Sequence, residues 1–215
     1  MDRRTMLFGA GIVVAAAAGG AYYLYGDRLF GAAGSANLQA LLAEGPLPEM
    51  VMGNADAPVT IIEYASMTCP HCANFHENTL PAIKEKYIDT GKARLIFREF
   101  PFDSRAAAAF MVARCAPAEQ YFPLVDVMFK QQATWVRAED PRQPLLQIAR
   151  LAGFTQESFE ACLKNQPVLD KLLAVREKAA KEFKVESTPT FFINGEMHAG
   201  ALPVEEMSKI IDKFL

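Results

Sequence analysis

Two thiols separated by two residues, in Cys69-Pro70-His71-Cys72, carry the strongest chemical signal in this chain. Cysteines at this spacing can close and open a disulfide with each other and so exchange two electrons with other thiols. The run before them, Val59-Thr60-Ile61-Ile62-Glu63-Tyr64, is β-branched and aromatic, as a buried strand requires, and 73–87 has helical spacing. The motif is therefore expected at a strand-to-helix turn. There, unpaired backbone N–H groups and the helix dipole favour negative charge, so Cys69 in the first turn is expected to be a thiolate at neutral pH, the reactive form. His71 can donate a hydrogen bond or carry positive charge beside it. Pro70 has no N–H and a helix-ready φ, which suits the first helical position. Cys72, one turn in, is expected to be less exposed and to act as the resolving thiol. Stabilising the reduced, ionised pair makes its disulfide a stronger oxidant.

The same residues admit a metal reading. A structural zinc would need two further Cys or His at compatible spacing, and Cys115 and Cys162 are remote in sequence from the motif and from each other. His76, seven residues after Cys69, falls on the same helical face and keeps metal binding open. The matching alternative function is a copper-handling protein that uses the thiols, His76 or Met67, although the chain has no Met-rich or His-rich cluster. The redox reading calls for no cofactor and no metal.

With 215 residues, half of them apolar, the chain can bury one core of ordinary size and a second small helical lobe. The net charge of -3 and the lack of a basic stripe argue against a nucleic-acid partner. Arg3-Arg4 precede an apolar run over 7–25, which reads as an export signal or a membrane anchor. The order Arg-Arg-Thr-Met-Leu resembles twin-arginine signals. The run is long enough to span, with Tyr22, Tyr23 and Tyr25 suited to an interface, and cleavage near Ala33 to Ala36 is the alternative. Both place the remainder outside the cytoplasm, in the periplasm or its equivalent. Four cysteines fit that oxidising compartment. Cys115 and Cys162 are candidates for a second disulfide closing a loop of about 47 residues; two separate buried thiols are the other arrangement.

Residues 1–26 thus form the signal or anchor, and 27–47 a linker with a short helix over 37–43. A strand-and-helix domain is expected over 48–102 and 166–215, interrupted by a helical insertion over 103–165. An edge strand over 49–52 precedes the central strand ending at Ala65. The following helix is expected to bend at Pro81 and stop at Gly91, before a strand over 94–100 that completes a βαβ unit. In the insertion, Ser104 is expected to cap an alanine-rich helix containing Cys115, followed by helices over 119–132, 145–151 and 158–165, with Thr155 as a cap. Pro167 opens a long helix whose Val168, Leu172, Val175, Ala179 and Phe183 face is expected to return to the sheet. Asn194-Gly195 between strands over 190–193 and 196–199 signals a hairpin, and a helix over 203–215 ends the chain.

This order of elements, with Thr188-Pro189 before the third core strand and the Cys-Pro-His-Cys tetrapeptide, resembles the α/β thioredoxin fold of the DsbA family of periplasmic thiol:disulfide oxidoreductases over about residues 48–215. The resemblance implies a cis proline at Pro189 opposite the dithiol, leaving Thr188 free to pair with an extended substrate chain. It implies that Glu63 is a buried acid relaying a proton to or from Cys72. The positions of Cys115 and Cys162 resemble a second disulfide of some bacterial members. Substrates would be newly exported, reduced proteins, and the reoxidant a quinone-linked membrane thiol oxidase. Isomerases of the superfamily also carry Thr before the proline, so a disulfide isomerase or reductase kept reduced is the alternative direction. Residues 27–47 are too short for the dimerisation domain that such isomerases generally need.

Overall fold

The structure, a computed structural model, describes residues 38–215. The Arg3-Arg4 pair and the apolar run over 7–25 lie outside the described residues. No helix among the described residues is long and apolar enough to cross a membrane.

The β-branched run forms strand β2, Val59–Ala65, central in the sheet and buried at every position because both faces of the sheet are covered. It runs parallel to β3, Ala93–Glu99, with Ile62 opposite Ile96, and antiparallel to β4, Thr190–Ile193, with Ile62 opposite Phe192. Two short edge strands, β1 (Met50–Met52) and β5 (Glu196–Ala199), complete the order β1-β3-β2-β4-β5. Strand alternation sends Val59 and Ile61 to one face and Ile62 and Tyr64 to the other. At the β4–β5 turn, Asn194 (φ 45°) and Gly195 (φ 93°) both adopt the left-handed backbone that a two-residue hairpin requires. The Asn194 side chain also accepts from the Thr60 N–H at 2.8 Å, which ties the hairpin to the start of β2.

A short helix α1, Leu38–Leu42, opens the described residues, and the helical run α2 over 70–88 covers the Val59–Ile61 face. It consists of Pro70–Asn74, a π-helical turn Phe75–Thr79, Leu80–Ile83 and a second π-helical turn Lys84–Ile88. Pro81 falls in the first turn of Leu80–Ile83, where the wider π turn before it accommodates a residue with no N–H to give. Phe75, Ile83, Tyr87 and Ile88 pack there with Met207, Ile210 and Ile211 of the C-terminal helix.

Between β3 and β4 every regular element is a helix. Helix α3, Ser104–Cys115, is capped by Asp103, whose carboxylate accepts from the Ala106 N–H at 2.9 Å. Ser104, the expected cap, is instead its first helical residue, because the acid before it makes the stronger charge-assisted bond. The helix expected over 119–132 is broken into a 3₁₀ turn (Ala118–Gln120), α4 (Tyr121–Lys130) and α5 (Gln132–Arg137). The break folds α5 back so that Trp135 is fully buried and its indole N–H donates to the Met128 carbonyl at 2.7 Å, one of the acceptors left open at the end of α4. Helices α6 (Arg142–Arg150) and α7 (Gln156–Leu163) follow, the latter with Thr155 and Ser158 in a reciprocal capping box.

Helix α8, Gln166–Glu182, is capped by Asn165 and carries Pro167 in its first turn. Its apolar stripe does not return to the sheet as a whole. Val168 and Leu172 pack with the helical lobe, whereas Val175, Ala179 and Phe183 pack on Ile62, Tyr64 and Phe192. At about 1.5 Å per residue the helix is long enough to serve both cores. Helix α9, Val204–Asp212, ends the fold with its acidic residues Glu205 and Glu206 in the first turn.

Candidate redox site

The end of β2 turns sharply through residues 66–69, closed by a bond from the Cys69 N–H to the Ser66 carbonyl at 3.1 Å. Cys69 is the N-cap of α2, with extended backbone (φ −82°, ψ 118°), and Pro70 occupies the first turn. Cys69 is half-buried and Cys72 is fully buried. Both are free thiols, so the structure is that of the reduced pair.

The surroundings of Cys69 hold its thiol at about 5, far below the ordinary 9. The largest contribution is a hydrogen bond from the Cys72 thiol; the Thr188 side chain and the backbone N–H groups of Cys72 and His71 add to it, against the opposing effect of burial. His71 therefore acts through its main chain, and its ring lies on the exposed side of the turn. Cys72 moves the opposite way. Burial raises it most, then the bond it gives to Cys69, then the Glu63 charge. Two identical groups thus diverge: one is an anion at neutral pH, and the other keeps its proton and donates to it.

Thr188 and Pro189 face the dithiol, joined by a cis peptide bond. The protonated Cys69 thiol donates to the Thr188 carbonyl at 3.2 Å. The buried Thr188 hydroxyl has no partner in this arrangement. Ionisation removes the sulfur as a donor and offers it as an acceptor, so the hydroxyl can turn onto it and satisfy both groups.

Glu63 is fully buried on β2, between Phe97 of β3 and Phe191 of β4 in register. Its partner is His76, whose Nε2 lies 3.0 and 3.2 Å from the two carboxylate oxygens. His76 is itself buried, with its ring 4.3 Å from that of Phe129 and edge-on to Phe97. The position of His76 corrects the expectation that it shares the face of Cys69. Cys69 is a cap rather than a helical residue, and His76 follows Cys72, four residues earlier, onto the buried side. Met67 is buried as well, among the residues of the helical lobe. Among the described residues no group of three or more Cys, His, Asp or Glu could hold a metal ion.

Sequence reasoning also missed Gln132, whose side-chain amide donates to the carbonyls of Met67 and Cys69, each at 2.9 Å. Nothing local marked it, because its role depends on the break before α5. Cys115 and Cys162 are bonded to each other, with a Cα–Cα distance of 6.1 Å, between the end of α3 and the last turn of α7.

Residues 47–213 match the family profile described as Thioredoxin. A Rickettsia bellii protein whose name assigns it to the protein-disulfide oxidoreductases is 36% identical over 166 residues, covering 77% of this chain and 64% of that protein. The chain thus spans somewhat less than two thirds of the length of this relative. A Bacillus cereus relative named for disulfide bond formation, protein D, is 30% identical over 172 residues, covering 76% of this chain and 77% of its own. The crystal structure of alpha-DsbA1 from Wolbachia pipientis superimposes with a TM-score of 0.75 at 35% identity, over 83% of this chain and 96% of that one.

Proposed function

Because this chain belongs to the thioredoxin family and to its DsbA-like members, we propose that it is a thiol:disulfide oxidoreductase that donates its Cys69–Cys72 disulfide to reduced, exported proteins. One observation carries the reading: the same turn makes Cys69 an easily ionised thiol and Cys72 a reluctant one. A substrate thiolate attacks Sγ of Cys69, the Cys69–Cys72 bond breaks, and Cys72 leaves as a thiolate. A second substrate thiolate then attacks the substrate sulfur of the mixed disulfide and expels Cys69, which is stable as an anion. The substrate loses two electrons and the protein gains them.

The departing Cys72 is buried where its anion is disfavoured, so it needs a proton. We assign Glu63 and His76 as the pair that supplies it, since they form a buried, hydrogen-bonded unit on the Cys72 side of α2. Thr188 and Pro189 would align the substrate backbone beside Cys69. Pro70 stiffens the first turn, and the His71 and Cys72 N–H groups hold the Cys69 anion. The Arg3-Arg4 pair and the apolar run over 7–25 support a site of action outside the cytoplasm; the likeness to the DsbA family supports reoxidation by a quinone-linked membrane thiol oxidase. Equilibration with glutathione tests the direction. The superfamily spans about −270 mV for thioredoxin to about −120 mV for DsbA. A value above about −180 mV is expected. A value near the thioredoxin end, or a dithiol trapped mostly reduced in cells, would contradict a donor role.

A further inference from the structure

The turn that presents Cys69 is held from the helical lobe at two points. Thr68 Oγ1 donates to Asp103 Oδ2 at 2.7 Å, and Asp103 is at the same time the cap of α3. On the other side, the Gln132 side-chain amide spends both of its N–H bonds on the loop, one on the Met67 carbonyl and one on the Cys69 carbonyl. Gln132 is buried, and the burial of Trp135 with its bond to Met128 fixes the short helix it belongs to. We infer that Gln132 is a positioning residue for Cys69, through which the helical lobe sets how strongly oxidising the Cys69–Cys72 pair is. This rests on the reading of the pair as a redox dithiol.

The Cys69 carbonyl already accepts from the Ala73 N–H at 3.2 Å, the first main-chain bond of α2. A second donor on that oxygen fixes the plane of the peptide joining Cys69 to Pro70. With it are fixed the directions of the next two N–H groups, the His71 and Cys72 donors that face the sulfur. Gln132 also places positive hydrogens on the Met67 and Cys69 carbonyl oxygens, adding a second donor on the latter, and so offsets part of their negative charge beside the thiolate. Both effects favour the thiolate and leave the disulfide unaided, because a disulfide sulfur carries no charge to stabilise. Loss of the amide should therefore shift the balance of protein disulfide plus two glutathione thiols against protein dithiol plus glutathione disulfide.

Gln132→Leu keeps the bulk and removes both donors; Gln132→Glu keeps the shape and directs a carboxylate at two carbonyl oxygens. The equilibrium constant for oxidising glutathione should fall roughly 3- to 10-fold in the first and further in the second, as expected for one or two neutral hydrogen bonds. The pH midpoint of the thiolate absorbance should rise in the same order. Thr155→Ala, which removes the cap of α7 without touching the loop, should lower stability and leave the constant unchanged. A constant within twofold of the wild type in folded Gln132→Glu or Gln132→Leu protein would overturn the inference and leave the dithiol reading standing. So would an equal shift in Thr155→Ala. A wild-type protein that does not equilibrate with glutathione at all would remove the dithiol reading, and the inference with it.

Discussion

The molecule holds two pairs of cysteines, and they have the same chemistry in opposite settings. Cys115 and Cys162 lie 47 residues apart, join two helices of the lobe and are bonded. Cys69 and Cys72 lie two residues apart at a helix N-terminus, with both thiols free. In the first pair the bond closes a long loop and constrains the unfolded chain. In the second the loop is too short to matter, and the surroundings act on charge instead, with donors gathered on one sulfur and burial around the other. The separation between partners and the field around them, rather than the residue type, distinguish a staple from a switch.

Substitution separates the two roles. Cys69→Ser should reduce oxidation of a reduced model substrate to the uncatalysed rate, read by recovery of activity of that substrate; retained turnover would show that the second pair, or neither, does the chemistry. Replacing Cys115 and Cys162 by Ala should do the reverse. In the chain-entropy description a 47-residue loop is worth about 4 kcal/mol. Denaturant unfolding should therefore show a loss of that order, with the glutathione equilibrium of Cys69 and Cys72 unchanged; a shifted equilibrium would mean that the pairs are coupled. Glu63→Gln preserves an acceptor for His76 but cannot give up a proton. Exchange at neutral pH should slow by roughly 100-fold, and an unchanged rate in stopped-flow exchange would remove the pair from the mechanism. Thr188→Val should have the smallest effect, raising the midpoint of Cys69 ionisation by about one pH unit by removing one hydroxyl donor.

The sheet and its connections were legible because β-branched runs, the Asn194-Gly195 turn and the Thr155 cap are local signals. Where long-range packing decided, local signals failed. Nothing in 119–132 announces a break, since Trp135 creates it by burying itself and capping α4. Helix α8 has one regular apolar stripe, yet it meets two different cores along its length. At the site, the tetrapeptide and the preceding strand marked Cys69 and Cys72 directly. The donors around Cys69 were legible only in part. The helix N-terminus was expected to hold the anion, whereas the leading contribution comes from the partner thiol. The His76 contact with Glu63 was not legible, because counting from Cys69 as a helical residue put His76 on the wrong face, whereas Cys69 is a cap.

The pH dependence follows with its sign. Cys69 has a folded value near 5 against an ordinary 9, so ionisation stabilises the reduced fold in full above about 9 and the advantage fades as pH falls through about 5. The absorbance of the reduced protein near 240 nm, followed from pH 3 to pH 10 against the Cys69→Ser variant, measures this directly. A thiolate transition centred near 5 that vanishes in the variant is the expected result. A transition at the ordinary cysteine value, about 9, would contradict the account at its root.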